Sequence, residues 1–232
     1  QRQIFRKIMF EDINQETTRR LTEVHSILRL IKDEGISIDK RILKGLFFVL
    51  LYGALEYVIQ ASVQRCIILL NRKNTPINNF RYSLLGLILN KECNAVSSTS
   101  NKQWIKRYEL FIKLNEITPI NNIDEALFPC PTGNIKYKNI EFIWNIFGIE
   151  TEVINDVKLK SFLNELAEHR NAIAHGRELS STIGGRLSNE ELEVRYKALN
   201  SYCSYIIANF EEYIQQNKHL KKNIYKPENF EN

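Results

Sequence analysis

Glycine (9) and proline (5) are scarce in these 232 residues, so few positions force a regular element to stop. That scarcity argues against a sandwich or barrel with many tight turns and favours an all-α class. Cysteine is thin as well: Cys66, Cys93, Cys130 and Cys203 lie far apart and form no CxxC pair. Such spacing supports neither a zinc site nor a disulfide framework. Three of the four sit among apolar neighbours, where a free thiol behaves as a small buried hydrophobe, and a reducing cytoplasm suits it. No apolar run reaches the ~20 residues a bilayer requires. The longest, Leu46 to Leu55, is bounded by Lys44 and Glu56 and reads as a core helix, with no membrane role. No secretory leader is legible, and a chain opening at Gln1 is expected to be trimmed at its N-terminus.

What is present points to one helical core. Hydrophobic residues make up 44% of the chain, enough to exclude disorder as the default. The formal net charge of +5 suits a polyanionic partner without showing one. Neither a repeat nor a linker divides the chain, so 1–232 is expected to be a single domain. Its Lys-rich end, 217–232, is expected to fray.

Apolar residues recur at helical spacing from about residue 3 to 33, with a polar interval between Phe10 and Arg20 that reads as solvent-facing or broken, and a stop at Gly35. A second long helix is expected from Asp39, as N-cap, to Arg72. Its middle is apolar nearly all round, which marks packing on several sides. Gly45 and Gly53 would admit a close neighbour. Thr75-Pro76 ends this helix, a short helical stretch follows over Phe80 to Leu89, and Asn94 to Asn101 reads as a polar loop. From Lys102 to Ile117 a helix carries Trp104, Tyr108 and Phe111. These aromatics read as core residues on an otherwise solvated helix, although Lys102, Lys106 and Arg107 would also suit a basic face for RNA. An irregular stretch, 118–136, leads to a short helix from Lys138 to Phe147, stopped by Gly148. Asp156 to Ala174 is helical, with a stripe at Leu159, Leu163, Leu166 and Ile173. After a loop over Gly176 to Leu187, Ser188 and Glu191 form a capping box opening a last helix to Gln216.

The Asp156 helix carries the chemistry. A step of four from Leu166 calls for an apolar residue and meets Arg170 instead. A guanidinium left unpaired in an apolar seam costs several kcal/mol, so Arg170 must find a carboxylate, solvent or an anion-binding cleft. Asn171 and His175 stand one turn apart on one face. Arg170 and His175 are about 140° apart on an ideal helix, a gap that a loosened last turn at Gly176 would narrow. Arg and His suit metal-free RNA cleavage. Imidazole exchanges protons near neutrality. Guanidinium binds the phosphate and steadies the charge gathering on it. No acidic cluster with metal-ligand spacing stands beside them, so no metal and no other cofactor is expected. On spacing alone, an intrachain salt bridge for Arg170 and a helix-end cap for His175 explain the pair somewhat better.

The run Leu166-Ala167-Glu168-His169-Arg170-Asn171-Ala172-Ile173-Ala174-His175-Gly176 resembles the HEPN superfamily signature, often written R-N-x-x-A-H-G. Gly133-Asn134-Ile135, with Ile140, Ile143 and Phe147-Gly148-Ile149, resembles the stretch preceding the motif in the bacterial toxin-like, defence-associated branch. The resemblance implies an all-α bundle of long helices with an irregular insert. It also implies a homodimer whose two motifs form one ribonuclease cleft, with Arg170, Asn171 and His175 in the functional roles. RNA would be the substrate, and an antitoxin or defence-complex subunit a further partner. In the branch paired with nucleotidyltransferase antitoxins, a modified Tyr stands two residues after the His. Here Arg177 takes that place, which puts such regulation in doubt. Arg177 and Arg186, flanking the glycine-bearing loop, and His169, next to the motif, are lesser candidates for RNA contact. A non-catalytic HEPN module binding nucleotide or RNA, or a structural subunit, is the rival reading.

Overall fold

The computed structural model describes residues 9–221 apart from 34, 36, 99–100, 116, 118, 121, 131–133 and 155. The expected helical start at residue 3 and the end of the tail, 222–232, lie outside the described residues. Helix α1 (Glu11–Asp33) is continuous through the polar interval: Ile13 and Thr17 are buried on one side while its neighbours face solvent. The interval was therefore an exposed face and no break. Gly35 does not adopt a left-handed cap.

Helix α2 (Ile38–Arg72) is the axis of the bundle. Its N-cap is Ser37, whose hydroxyl accepts from the Lys40 amide, two residues earlier than the expected Asp39. Phe47, Phe48, Leu51, Tyr52, Leu55, Val58, Ile59, Val63, Ile67 and Leu70 are buried. Ile38, Ile42, Leu46 and Leu50 remain partly exposed, so the helix is covered on most sides and open along one row. Its apolar character runs well past Leu55. By length and composition alone α2 could cross a membrane, but 56% of its most apolar window is buried within the bundle.

Between α2 and the motif lies the irregular insert. Thr75–Pro76 (β1) pairs antiparallel with Pro119–Ile120 (β2), and 3₁₀ turns at Ile77–Asn79 and Tyr82–Leu84 lead into α3 (Leu85–Ile88). Helix α4 (Asn90–Ser98) occupies most of the expected polar loop, and α5 (Gln103–Lys113) packs back on it. The core reading of α5 is overturned. Trp104 is 78% exposed, and Ile105, Tyr108, Phe111 and Ile112 face solvent too.

Helix α6 (Tyr137–Phe147) ends where expected, with Gly148 left-handed at φ 64°. Trp144 and Phe147 meet Phe210 edge to face at 5.6 and 5.3 Å, which locks α6 to the last helix. Helix α7 (Val157–Ala174) begins at its Asp156 cap and buries Leu159, Leu163 and Leu166, as the stripe requires; Ile173 is only half-buried. The following loop contains a short helix, α8 (Ser180–Gly184), lying directly on α2. A Cβ on Gly184 would stand 1.9 Å from the Arg41 carbonyl oxygen, and one on Gly45 would stand 2.3 Å from that of Ser180. Gly45 thus admits a close neighbour, whereas Gly53 has nothing near it.

The Ser188–Glu191 capping box opens α9 (Asn189–Gln215), which packs on α1 and α2. Residues 217–221, expected to fray, fold back. The Arg81 amide donates to the His219 carbonyl at 2.9 Å, Lys221 donates to Asn79, and His219 is 1% exposed. The architecture is all-α with a small two-stranded element.

Candidate functional site

The motif sits at the C-terminal end of α7, and the way that helix stops shapes it. His175 is the cap residue, outside the helical region at φ −96°, ψ 9°. Gly176 follows at φ +66°, with its amide donating to Ile173 and that of Arg177 donating to Ala172 at 2.8 Å. This pair of bonds is a Schellman closure, and it needs the conformation glycine adopts without strain. The last turn therefore opens at His175, and the ideal-helix angle between Arg170 and His175 no longer applies. The His175 imidazole is in solvent, and among the described residues no side chain holds it.

Arg170, by contrast, is held. Its guanidinium lies 4.9 Å from the centre of the Tyr52 ring, and its Nη1 donates to Asn171 Oδ1 at 2.9 Å. Asn171 is buried, and its Nδ2 donates to Asn134 Oδ1 at 2.9 Å. The Tyr52 hydroxyl accepts the Ile135 amide proton at 2.7 Å. Burial, with the Glu56 carboxylate adding to it, raises the Tyr52 pKa, so the phenol stays neutral. Residues 134–135 are thus fastened twice, to the motif through Asn134 and to α2 through Ile135. The arginine that broke the apolar stripe rests half-buried on an aromatic face, where cation–π attraction offsets part of its desolvation.

Tyr52 was not found from sequence, because a lone hydroxyl in an apolar helix does not reveal what it faces. Asn134 belonged to the quoted upstream stretch, but its pairing with Asn171 was not legible.

The lesser candidates separate. His169 is turned inward, with its Nε2 3.5 Å from Glu165 and its ring edge to face with Phe48 at 4.7 Å. Glu165 also takes a bidentate pair from Arg195 at 2.8 and 3.1 Å. Burial pushes the Glu165 carboxyl up, yet the hydrogen bonds from His169 and Arg195 outweigh it and hold its pKa at about 2. This network ties α7 to α9. Arg186 is paired with Glu178, and Arg177 is exposed beside the motif. Lys136 pairs with Glu168. Among the described residues no three His, Cys, Asp or Glu side chains converge as metal ligands.

An all-α bundle with R-N-x-x-A-H-G at the open end of a long helix defines a HEPN-class protein. The RiboL-PSP-HEPN family model matches residues 15–214, and the chain belongs to that family. No curated protein and no solved structure matches it. At the level of the family, the membership carries an RNA-related, nuclease-like function.

Proposed function

We propose that the chain is a metal-independent endoribonuclease. The observation that carries this reading is the held guanidinium of Arg170, fixed by Tyr52 and the Asn171–Asn134 pair, in the same motif as a solvent-facing His175. Arg170 binds the scissile phosphate and Asn171 holds Arg170 in place. His175 moves protons. The ribose 2′-oxygen bonds to phosphorus as its proton goes to a base, and the bond to the 5′-oxygen breaks as an acid protonates it. The products are a 2′,3′-cyclic phosphate and a 5′-hydroxyl.

One imidazole cannot stand on both sides of the phosphorus, so a second copy completes the site. Two α7 helices related by a two-fold axis supply two sets of Arg170, Asn171 and His175. The partly exposed row Ile38, Ile42, Leu46 and Leu50 offers apolar surface for such a contact. The resemblance to the toxin-like branch supports a role in a toxin or anti-phage system, with an antitoxin or defence-complex subunit as regulator.

Arg170→Ala and His175→Ala should each lose RNA cleavage at least about a hundredfold while helical content stays unchanged. Cleavage should persist in excess chelator, leave DNA intact and fall per chain on dilution. Normal cleavage by both variants, or products with a 5′-phosphate, would sink the mechanism. Growth arrest by the intact chain and not by His175→Ala would bear on the toxin role. A binding module is the second reading, favoured by the absence of an orienting side chain on His175 among the described residues. It expects uncleaved RNA to be retained by the wild type and released by Arg170→Ala.

A further inference from the structure

Helices α4 and α5 bury no residue at all. Helices of nine and eleven residues are marginal in water without tertiary support, and this hairpin reaches the core only through the half-buried Leu110 and Leu114. Yet α5 presents a continuous apolar stripe of Trp104, Ile105, Tyr108, Phe111 and Ile112, all about half to three-quarters exposed. An exposed apolar surface of this extent marks a contact site.

The spacing suits a second copy of the same helix. Trp104 and Ile105 stand four and three residues before Tyr108, and Phe111 and Ile112 stand three and four after it. The stripe is therefore symmetric about Tyr108. A two-fold axis through Tyr108, setting α5 antiparallel to a second α5, brings Trp104 level with Ile112 of the other copy. It likewise brings Ile105 level with Phe111, and Tyr108 level with itself.

We propose that the α4–α5 hairpin is a self-association surface through which two copies pair about Tyr108, closing two hairpins into a four-helix layer with the stripes inside. Aromatic side chains bury about 150–250 Å² each, so the stripe supplies several hundred Å² per chain toward the ~800 Å² of a standard interface.

RNA suits this face less well. Lys106 pairs with Glu109 and Lys113 with Glu92, while Arg107 lies 4.8 Å over its own Trp104 ring. Little positive charge is left for a phosphate chain, and the two isoleucines offer no π-face for a base.

The contact is separate from the cleft at α7, and its test uses no RNA cleavage. The full chain is followed by sedimentation across a concentration series, together with acrylamide quenching of tryptophan. Trp144 is buried, so the quenchable fluorescence reports Trp104. Quenching should fall as the mass rises with concentration above the 27.3 kDa of one chain. Tyr108→Asp and Tyr108→Arg each set like charges face to face at the axis. Each alone should keep Trp104 quenchable at every concentration, with unchanged helical content and its association through α5 weakened at least about tenfold, so that any dimer left belongs to the α7 cleft. Mixed in equal amounts they should pair, because opposite charges then meet. Should either variant unfold, Trp104→Glu replaces it as the dissociated form.

Four outcomes overturn the proposal: a wild type that stays single and quenchable throughout, variants that associate as it does, a mixture that fails to pair, or Trp104 shielded by a single-stranded RNA oligonucleotide and not by a second copy. A monomeric Tyr108→Asp chain that still cuts RNA at full rate leaves this contact standing and counts against the composite cleft instead.

Discussion

Three aromatic rings on α5 stand in solvent, whereas the imidazole of His219, in the turn after α9, lies buried between Phe80 and Tyr213. By polarity alone the two regions should be exchanged. What differs is the number of elements opposite each. The turn is clasped by Arg81, Asn79 and Lys73, which bond to His219, Lys221 and Asn217. Helix α5 packs chiefly on α4 and meets the core only through Leu110 and Leu114. Burial is set by what covers a position, and each mismatch carries a cost. On α5 the cost is apolar surface left in water. At His219 it is a ring whose Nδ1 has no partner among the described residues.

The sharpest way to break this comparison is through the two tryptophans. Trp144, 1% exposed against Phe210, is held by its surroundings. Trp144→Ala should cost about 3–5 kcal/mol in urea unfolding, the range for deleting a buried aromatic. A loss below about 1 kcal/mol would mean that the α6–α9 contact is no core.

Acid tests the other half of the comparison. Burial, and then the Lys73 charge, lower the His219 pKa to about 4 from the ordinary 6.5. Between those values the unfolded chain takes up the proton and the folded one does not. Stability is therefore full above pH 6.5 and declines as pH falls toward 4, by an amount on the order of 2–3 kcal/mol. Glu165, held at about 2 from 4.5, contributes in the same direction but only below pH 4.5. Unfolding followed from pH 7 to 4 should show the upper decline, and His219→Leu should flatten it. A decline that survives in His219→Leu would place its origin elsewhere.

Local information made the long elements legible. Helix α2 announced itself through an apolar middle, α7 through its periodic stripe and α9 through the Ser188–Glu191 box. The Arg170–His175 motif was legible because it is contiguous, and Gly176 signalled how its helix would stop. Tyr52 and Asn134 reach the same site from 118 and 36 residues upstream of Arg170, through contacts that exist only after folding. The exposure of α5 and the seating of His219 failed for the same reason. A periodic stripe shows which face is apolar and is silent about whether anything lies against it.

The smallest expected effect closes the contrast. Trp104→Ser removes a ring that touches little besides its own Arg107, so in dilute solution the stability of the single chain should change by less than about 0.5 kcal/mol. The same substitution should matter once chains meet. If folded copies associate through α5 and unfolded ones do not, mass action raises the wild-type Tm with protein concentration. Trp104→Ser should abolish that rise while leaving the dilute Tm in place. Calorimetry on both proteins across a concentration series separates the two contributions. A large loss in dilute solution would show that Trp104 is held by its own chain, and that α5 carries core residues after all. A concentration-dependent rise shared equally by both proteins would place the association on another surface, the open row of α2 among them.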